Sequence, residues 1–211
     1  MITSRQTGHC LSLPLIAFLT AGFLACPSPG HAQDLNANDI VRSLSVAKKP
    51  RTRSLGKQAD AGPSYSDEEK SLIKSIPTRG LKVSLKKQIG QIIDTHKPPR
   101  LDIEIQFDFN SDTVRTASIP DLNALGTALI DPSLSGSRII LNGHTDAKGA
   151  NDYNLDLSER RAAAVREYLI SHFPIDDNRL IAIGFGEERL KNTYDPEAAD
   201  NRRVEIVNMG S

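Results

Sequence analysis

Arg161 is the side chain whose position most demands a partner. Between Tyr153 and His172, the residues Leu157, Ala164, Val165 and Tyr168 share one side of a helix, and Arg161 lies four residues from both Leu157 and Val165, inside that apolar stripe. A guanidinium keeps its proton, and burying it unpaired costs several kcal/mol. The position therefore calls for a carboxylate, from the protein or from a ligand. The nearest acid stands in the preceding polar loop, Gly143-His144-Thr145-Asp146, which joins a strand end to the helix that carries Arg161. An aspartate and an arginine held a few ångströms apart suit a zwitterion: the carboxylate takes an ammonium, and the guanidinium takes a carboxylate in bidentate fashion. Backbone N–H groups at the helix start, with Asn154, help hold the anion. The other reading is a purely structural Asp146–Arg161 ion pair, and the pattern leaves both open. Arg160, one residue away, falls on the solvent side as ordinary surface charge.

Other residue sets suit catalysis less well. His144 and Asp146, with Asp108 or Glu187 as a third group, have the right types for a metal site. Yet His-x-Asp is a frequent accidental spacing, and no His-Glu-x-x-His or comparable set is present. His144 is expected to be a loop residue hydrogen-bonded to backbone. Glu187-Glu188 imitates the carboxylate pair of a glycan hydrolase, but adjacent residues in extended chain point apart. No Ser or Cys nucleophile has a recognisable partner. The residues argue for a binding protein rather than an enzyme, with no catalytic residue, no metal and no cofactor.

The elements that must position these side chains lie in the second half. Leu101, Ile103, Ile105 and Phe107 alternate with polar residues as a strand. Leu122, Leu125, Leu129 and Ile130 mark a helix that stops at Asp131-Pro132. A second strand covers 138–142, a long helix 153–172, a third strand begins at Leu180, and a fourth contains Val204, Ile206 and Val207. The order βαβαββ predicts an α/β fold, an α+β sandwich in which a small mixed sheet carries helices on one face.

The first half reads differently. The chain has 211 residues with 26 basic and 26 acidic groups, but residues 33–100 hold 14 basic against 7 acidic, and 101–211 hold 11 against 19. Arg5, the apolar stretch 11–25 and the small residues up to Ala32 describe a secretory signal peptide over 1–32. Both cysteines, Cys10 and Cys26, fall inside it, so cleavage leaves a chain without thiols. Phe23-Leu24-Ala25-Cys26 loosely resembles a bacterial lipoprotein box, and membrane attachment follows only if Cys26 is lipidated. Residues 33–100 read as a largely disordered basic linker with short helices. Ser66-Asp67-Glu68-Glu69 has the form of a helix start, Pro77 ends that helix, and 81–93 is ambiguous between strand and helix. The run Lys48–Arg53 lacks aromatic interleaving, and in an exported chain it argues for a solvated tether and against nucleic-acid binding. A partner protein of the envelope is expected to bind through residues 33–100.

Four motifs in order give the sequence a family likeness. Gly143-His144-Thr145-Asp146, then Tyr153-Asn154-Leu155-Asp156-Leu157-Ser158-Glu159-Arg160-Arg161-Ala162, then Gly184-Phe185-Gly186-Glu187, then Asn201-Arg202-Arg203-Val204-Glu205-Ile206 closely resemble the OmpA-like C-terminal domain family. Phe107-Asp108-Phe109-Asn110-Ser111 resembles the family's opening loop. The resemblance covers 101–208, leaving 209–211 as a tail. It implies non-catalytic binding of peptidoglycan through meso-diaminopimelate of the stem peptide, tethering an envelope protein to the cell wall. It further implies that Asp146 holds the ammonium and Arg161 the carboxylate, with Asp108, Asn154 and Arg202 lining the same site. The family often has a proline shortly after its Gly-x-Gly-Glu motif. Here Glu188-Arg189-Leu190 stands there, so the loop to Asp200 is expected to take its own path. The expected location is periplasmic and wall-associated, at the outer membrane if Cys26 is lipidated. The alternatives are a protein-interaction module with a vestigial wall site and, behind it, a cell-wall hydrolase.

Overall fold

A computed structural model describes residues 35–45, 63–108 and 110–210. The signal-peptide and lipid-box readings, and the basic run at 48–53, lie outside the described residues.

Four strands form one mixed, open sheet: β1 (Arg100–Ile103), β2 (Ile139–His144), β3 (Leu180–Gly186) and β4 (Val204–Asn208), in the order β1-β4-β2-β3. β4 runs antiparallel to both β1 and β2, while β2 and β3 are parallel. A parallel pair needs a crossover, and the helix from Asn151 to His172 supplies it. The expected strand through Phe107 is shorter. Its ladder ends at Ile103, and Phe107 makes an isolated bridge to Val114 across a loop.

Numbered along the chain, the helices are α1 (Ala37–Leu44), α2 (Asp67–Ser75), α3 (Val83–His96), α4 (Ile119–Leu129) and α5 (Asn151–His172). On one face of the sheet, Leu122, Leu125 and Leu129 of α4 and Val165 and Leu169 of α5 pack on Ile103, Ile139, Leu141, Leu180 and Ile206, joined by Ile40 and Leu44 of α1. On the other face, Ile73 of α2 and Ile89, Ile92 and Ile93 of α3 pack on Ile140, Ile181, Ile183 and Val207. Within 101–208 both helices, α4 and α5, pack on one face as expected, and the second face is covered by the described helices of 63–98, from the segment read as a linker. The physical reason is visible in the strands. Ile139-Ile140-Leu141 and Leu180-Ile181-Ala182-Ile183 are apolar without alternation, so both of their faces must be buried.

Local chemistry fixes these helices. Ser66 Oγ accepts from the Glu69 amide at 3.2 Å and Glu69 Oε2 accepts from the Ser66 amide at 2.7 Å, a complete capping box. The ambiguous 81–93 segment is helical within α3, ending at Lys97 in a left-handed conformation. Between α2 and α3 the chain crosses the β3 edge of the sheet. Thr78 C=O accepts from the Ala182 amide at 3.2 Å, Arg138 donates to the carbonyls of Lys74 and Ile76, and Arg79 pairs with Glu167 of α5 at 2.6 Å. Lys86 of α3 pairs with Glu159 of α5 at 2.6 Å, and Asp94 pairs with Arg189 just beyond β3. A carboxamide hydrogen of Asn208 goes to the Leu44 carbonyl at 2.8 Å, tying α1 to β4.

Candidate functional site

The site is built at the end of β2. Gly143 lets β2 approach α5 closely, since a Cβ there would lie 2.2 Å from the Ser158 carbonyl oxygen. Ser158, fully buried, donates to the Leu155 carbonyl and accepts from the Gly186 amide at 2.8 Å, which joins the end of β3 to the same helix. Gly186 has φ +53° and passes its carbonyl to the Thr145 amide. The loop carrying Asp146 thus leaves a junction of two strands and a helix.

Asn154 then clamps that loop. Its amide nitrogen donates to the carbonyls of Asp146 (3.3 Å) and Lys148 (3.2 Å) and to Glu187 Oε2 (2.6 Å). Two N–H hydrogens facing three acceptors leave no donor for an anion. Asn154, expected among the ligand-lining residues, is buried and acts on the loop instead. Asp146 Oδ2 meets Arg202 Nη1 at 2.7 Å, and Oδ1 accepts from the Lys148 amide at 3.3 Å.

Arg161 does not pair with Asp146. Its Nε donates to the Ser111 carbonyl at 3.1 Å and its guanidinium lies 4.8 Å from the centre of the Phe107 ring. Among the described residues its two terminal nitrogens meet no acceptor, and no carboxylate forms an ion pair with it. Burial pushes its pKa down, with Tyr153 and Asp146 opposing and Arg202 and Arg160 adding to the effect. The structural ion pair that the sequence left open is therefore absent. Arg161 is a half-buried cation, aimed by a carbonyl and an aromatic face, with its bidentate edge unmatched. It lines a small cleft with Ile105, Phe107, Gly143, Arg202 and Val204. Asp108 stands in the same opening loop, exposed and 3.7 Å from Arg115. Its carbonyl and amide bond Ser111 and Thr113, so it shapes the turn that presents Ser111 to Arg161. Arg160 makes an exposed pair with Asp156.

His144 departs from expectation. Its ring is buried on the second face, stacked on Phe185 at 5.9 Å, and neither ring nitrogen has a hydrogen-bond partner among the described residues. Glu205 Oε2 lies 3.8 Å from Nε2, too far for a hydrogen bond. Burial is the largest influence on His144 and pushes its pKa down. Burial works against the Glu205 anion as well, but the His144 ring, the Asn142 amide at 3.0 Å and Arg100 outweigh it and hold that carboxyl at about 2. Among the described residues no three His, Cys, Asp or Glu side chains converge as a metal site would require.

The comparison with known sequences settles on the segment that builds this site: residues 106–203 match the OmpA family. The chain carries an OmpA family domain. Outer membrane porin F of Pseudomonas aeruginosa is 38% identical over 109 residues, covering 50% of this chain and 30% of that protein. The peptidoglycan-associated lipoprotein of Pseudomonas putida is 35% identical over 102 residues, covering 47% and 59%. The crystal structure of the peptidoglycan-associated lipoprotein from Burkholderia pseudomallei is 31% identical over 50% of this chain and 88% of that one, with a TM-score of 0.43. The chain spans less than two thirds of the length of these two curated relatives.

Within this OmpA domain, several contributors escape a sequence reading. Ser111 acts through its carbonyl, which has no signature in residue type. Asn201, fully buried, holds the loop after β3 by five hydrogen bonds: its carboxamide oxygen accepts from the amides of Lys191 and Asn192, and its nitrogen donates to the carbonyls of Asn192, Asp195 and Pro196. That loop passes the Pro196 carbonyl to the Ala147 amide at 2.9 Å, beside Asp146. The Asn201-Arg202-Arg203 motif was the available signal for it.

Proposed function

We propose that the domain over 101–208 binds peptidoglycan without cleaving it, and that it does so through meso-diaminopimelate of the stem peptide. One observation carries this reading: Arg161 is held half-buried with its terminal nitrogens unmatched, beside an aspartate that is not its partner. The free end of diaminopimelate offers a carboxylate for Arg161 and an ammonium for Asp146. Bidentate pairing suits the planar guanidinium, and the Phe107 ring and Ser111 carbonyl fix its orientation at no cost on binding. The ammonium competes with Arg202 for Asp146, so Arg202, half-exposed, is the group that moves. Asp108 supports the Ser111 turn, and Asn154 keeps the Asp146 loop in register. The names of the porin and lipoprotein relatives support a place in the cell envelope, associated with the wall on the periplasmic side.

A small zwitterion makes few contacts against the cost of immobilisation, so single-site affinity is expected to be weak, with retention on a polymeric wall raised by effective concentration. The test is calorimetric titration of a muropeptide containing meso-diaminopimelate into the full chain, beside Asp146→Ala and Arg161→Ala. Heat of binding for wild type alone, with both variants folded by circular dichroism, is the expected result. A folded wild type that neither binds the muropeptide nor sediments with purified sacculi would move the function to protein partners. Release of product with time would make the domain a hydrolase.

A further inference from the structure

Large apolar or aromatic side chains that stay exposed are few among the described residues: Val83, Ile130, Tyr153 and Tyr194. The two aromatic ones belong to the two elements that hold Asp146. Tyr153 precedes Asn154, whose amide clamps the Asp146 loop, and it is close enough to Arg161 to influence its charge. Tyr194 sits two residues before Pro196, whose carbonyl bonds Ala147, and two residues of chain reach at most about 7 Å.

The Tyr194 ring is entirely in water, yet its backbone is fixed. Its amide and that of Asp195 both donate to Asn192 Oδ1, and Asn192 is itself held by the buried Asn201. This is the loop whose sequence departs from the family pattern. A side chain displayed on a braced turn loses little backbone freedom when it meets a ligand.

We propose that Tyr194, with Tyr153 at the start of α5, engages sugar rings of the glycan strand next to the clamp for the stem peptide. This deepens the wall-binding reading and rests on it. A pyranose carries C–H groups of positive polarity on its faces, and the face of a tyrosine ring is negative. The phenol oxygen at the ring's edge reaches the sugar's hydroxyl groups, so one side chain serves both characters of the ligand. A protein partner would need a continuous apolar centre. Here the exposed rings stand singly on different elements, each beside an exposed acid, Tyr153 after Asp152 at the start of α5 and Tyr194 before Asp195 in the loop after β3, which suits two small rings presented in turn.

The experiment compares two ligands on the full chain: a tetrapeptide containing meso-diaminopimelate, and the same peptide on its GlcNAc–MurNAc disaccharide. Wild type is expected to bind the disaccharide form about three- to tenfold more tightly, the range of an aromatic contact. Tyr194→Ala removes that advantage and leaves affinity for the free peptide unchanged, while Tyr194→Phe keeps most of it. Ring-current shifts of the sugar C–H resonances accompany the contact in wild type and vanish in Tyr194→Ala. Equal affinity of wild type for the two ligands, or an equal loss on both in Tyr194→Ala, overturns the glycan contact while the clamp stands. Failure of folded wild type to bind either ligand removes the wall-binding reading and this contact together.

Discussion

The two faces of the sheet are closed by different stretches of the chain. One face is covered from within the family segment by α4 and α5, with α1 added at its margin. The other is covered by α2 and α3, which precede the residues that match the family. Both clusters contain side chains with no exposed surface, Leu125 and Leu129 in one and Ile89 and Ile93 in the other. A boundary drawn by family likeness at residue 106 therefore cuts through a packed core. The segment before it, whose composition reads as a tether, supplies half of the cover.

Deleting residues 33–98 is the most severe test of that comparison. It would expose Ile140, Ile181, Ile183, Phe185, Val207 and Met209, each worth about 1.5–3 kcal/mol when buried. Their sum rivals the whole stability of an ordinary domain, about 5–15 kcal/mol. The remaining fragment is expected to lose a cooperative calorimetric transition and to bind a hydrophobic dye. A melt as sharp as that of the full chain would show that the second face needs no cover.

Point substitutions sharpen the comparison. Ile89→Ala on one face and Leu125→Ala on the other should each cost about 2–5 kcal/mol in urea unfolding. A cost below about 1 kcal/mol for Ile89→Ala alone would mean that α3 rests loosely on the sheet. Two arginines of α5 give a second contrast. Arg166 is fully buried and donates to the Leu180 and Asp177 carbonyls at 2.8 Å, besides pairing with the Asp177 carboxylate. Arg166→Met strands those acceptors and should cost about 3 kcal/mol. Arg161→Met should change stability by under about 1 kcal/mol while abolishing muropeptide binding; the reverse ranking would exchange their roles.

Acid tests the polar end of the second face. The Glu205 carboxyl, at about 2 in the folded chain against an ordinary 4.5, binds its proton more readily when unfolded. Its contribution is present above pH 4.5 and is lost as pH falls toward 2. His144, also pushed below its ordinary 6.5, adds a loss that begins as pH drops past that value. Glu205→Gln should flatten the lower limb of a plot of urea midpoint against pH, and an unchanged limb would assign it to other groups. The smallest effect belongs to the exposed Arg160–Asp156 pair, where Arg160→Ala should move stability by under about 0.5 kcal/mol.

Much of this was legible in residue order. The apolar spacing of α4 and α5, the turn residues between strands and the capping box at Ser66 each point to one local structure. The partner of an amphipathic helix is not written in the helix. Ile73, Ile89, Ile92 and Ile93 announce a surface to bury without saying against what. The unbroken apolar runs in β2 and β3 held the complementary half of that information. At the site, the unusual place of Arg161 in an apolar stripe was readable, and so was the nearness of Asp146. That Arg202 rather than Arg161 holds Asp146 depends on the path of a loop fixed by Asn201, and side-chain type alone does not encode such a path. Arg166 has no such signature because two of its partners are backbone carbonyls, those of Leu180 and Asp177.

The crossing at Thr78 has a consequence for how copies of this chain meet. Because its carbonyl takes the Ala182 amide, and Arg138 and Arg79 pin the flanking turns, the chain itself covers the β3 edge at Ala182. Growth of a sheet from chain to chain needs two live edges on every subunit. A β3 edge crossed near its middle by its own chain offers a second copy no uninterrupted row of free backbone groups, so strand pairing between copies is disfavoured along that edge.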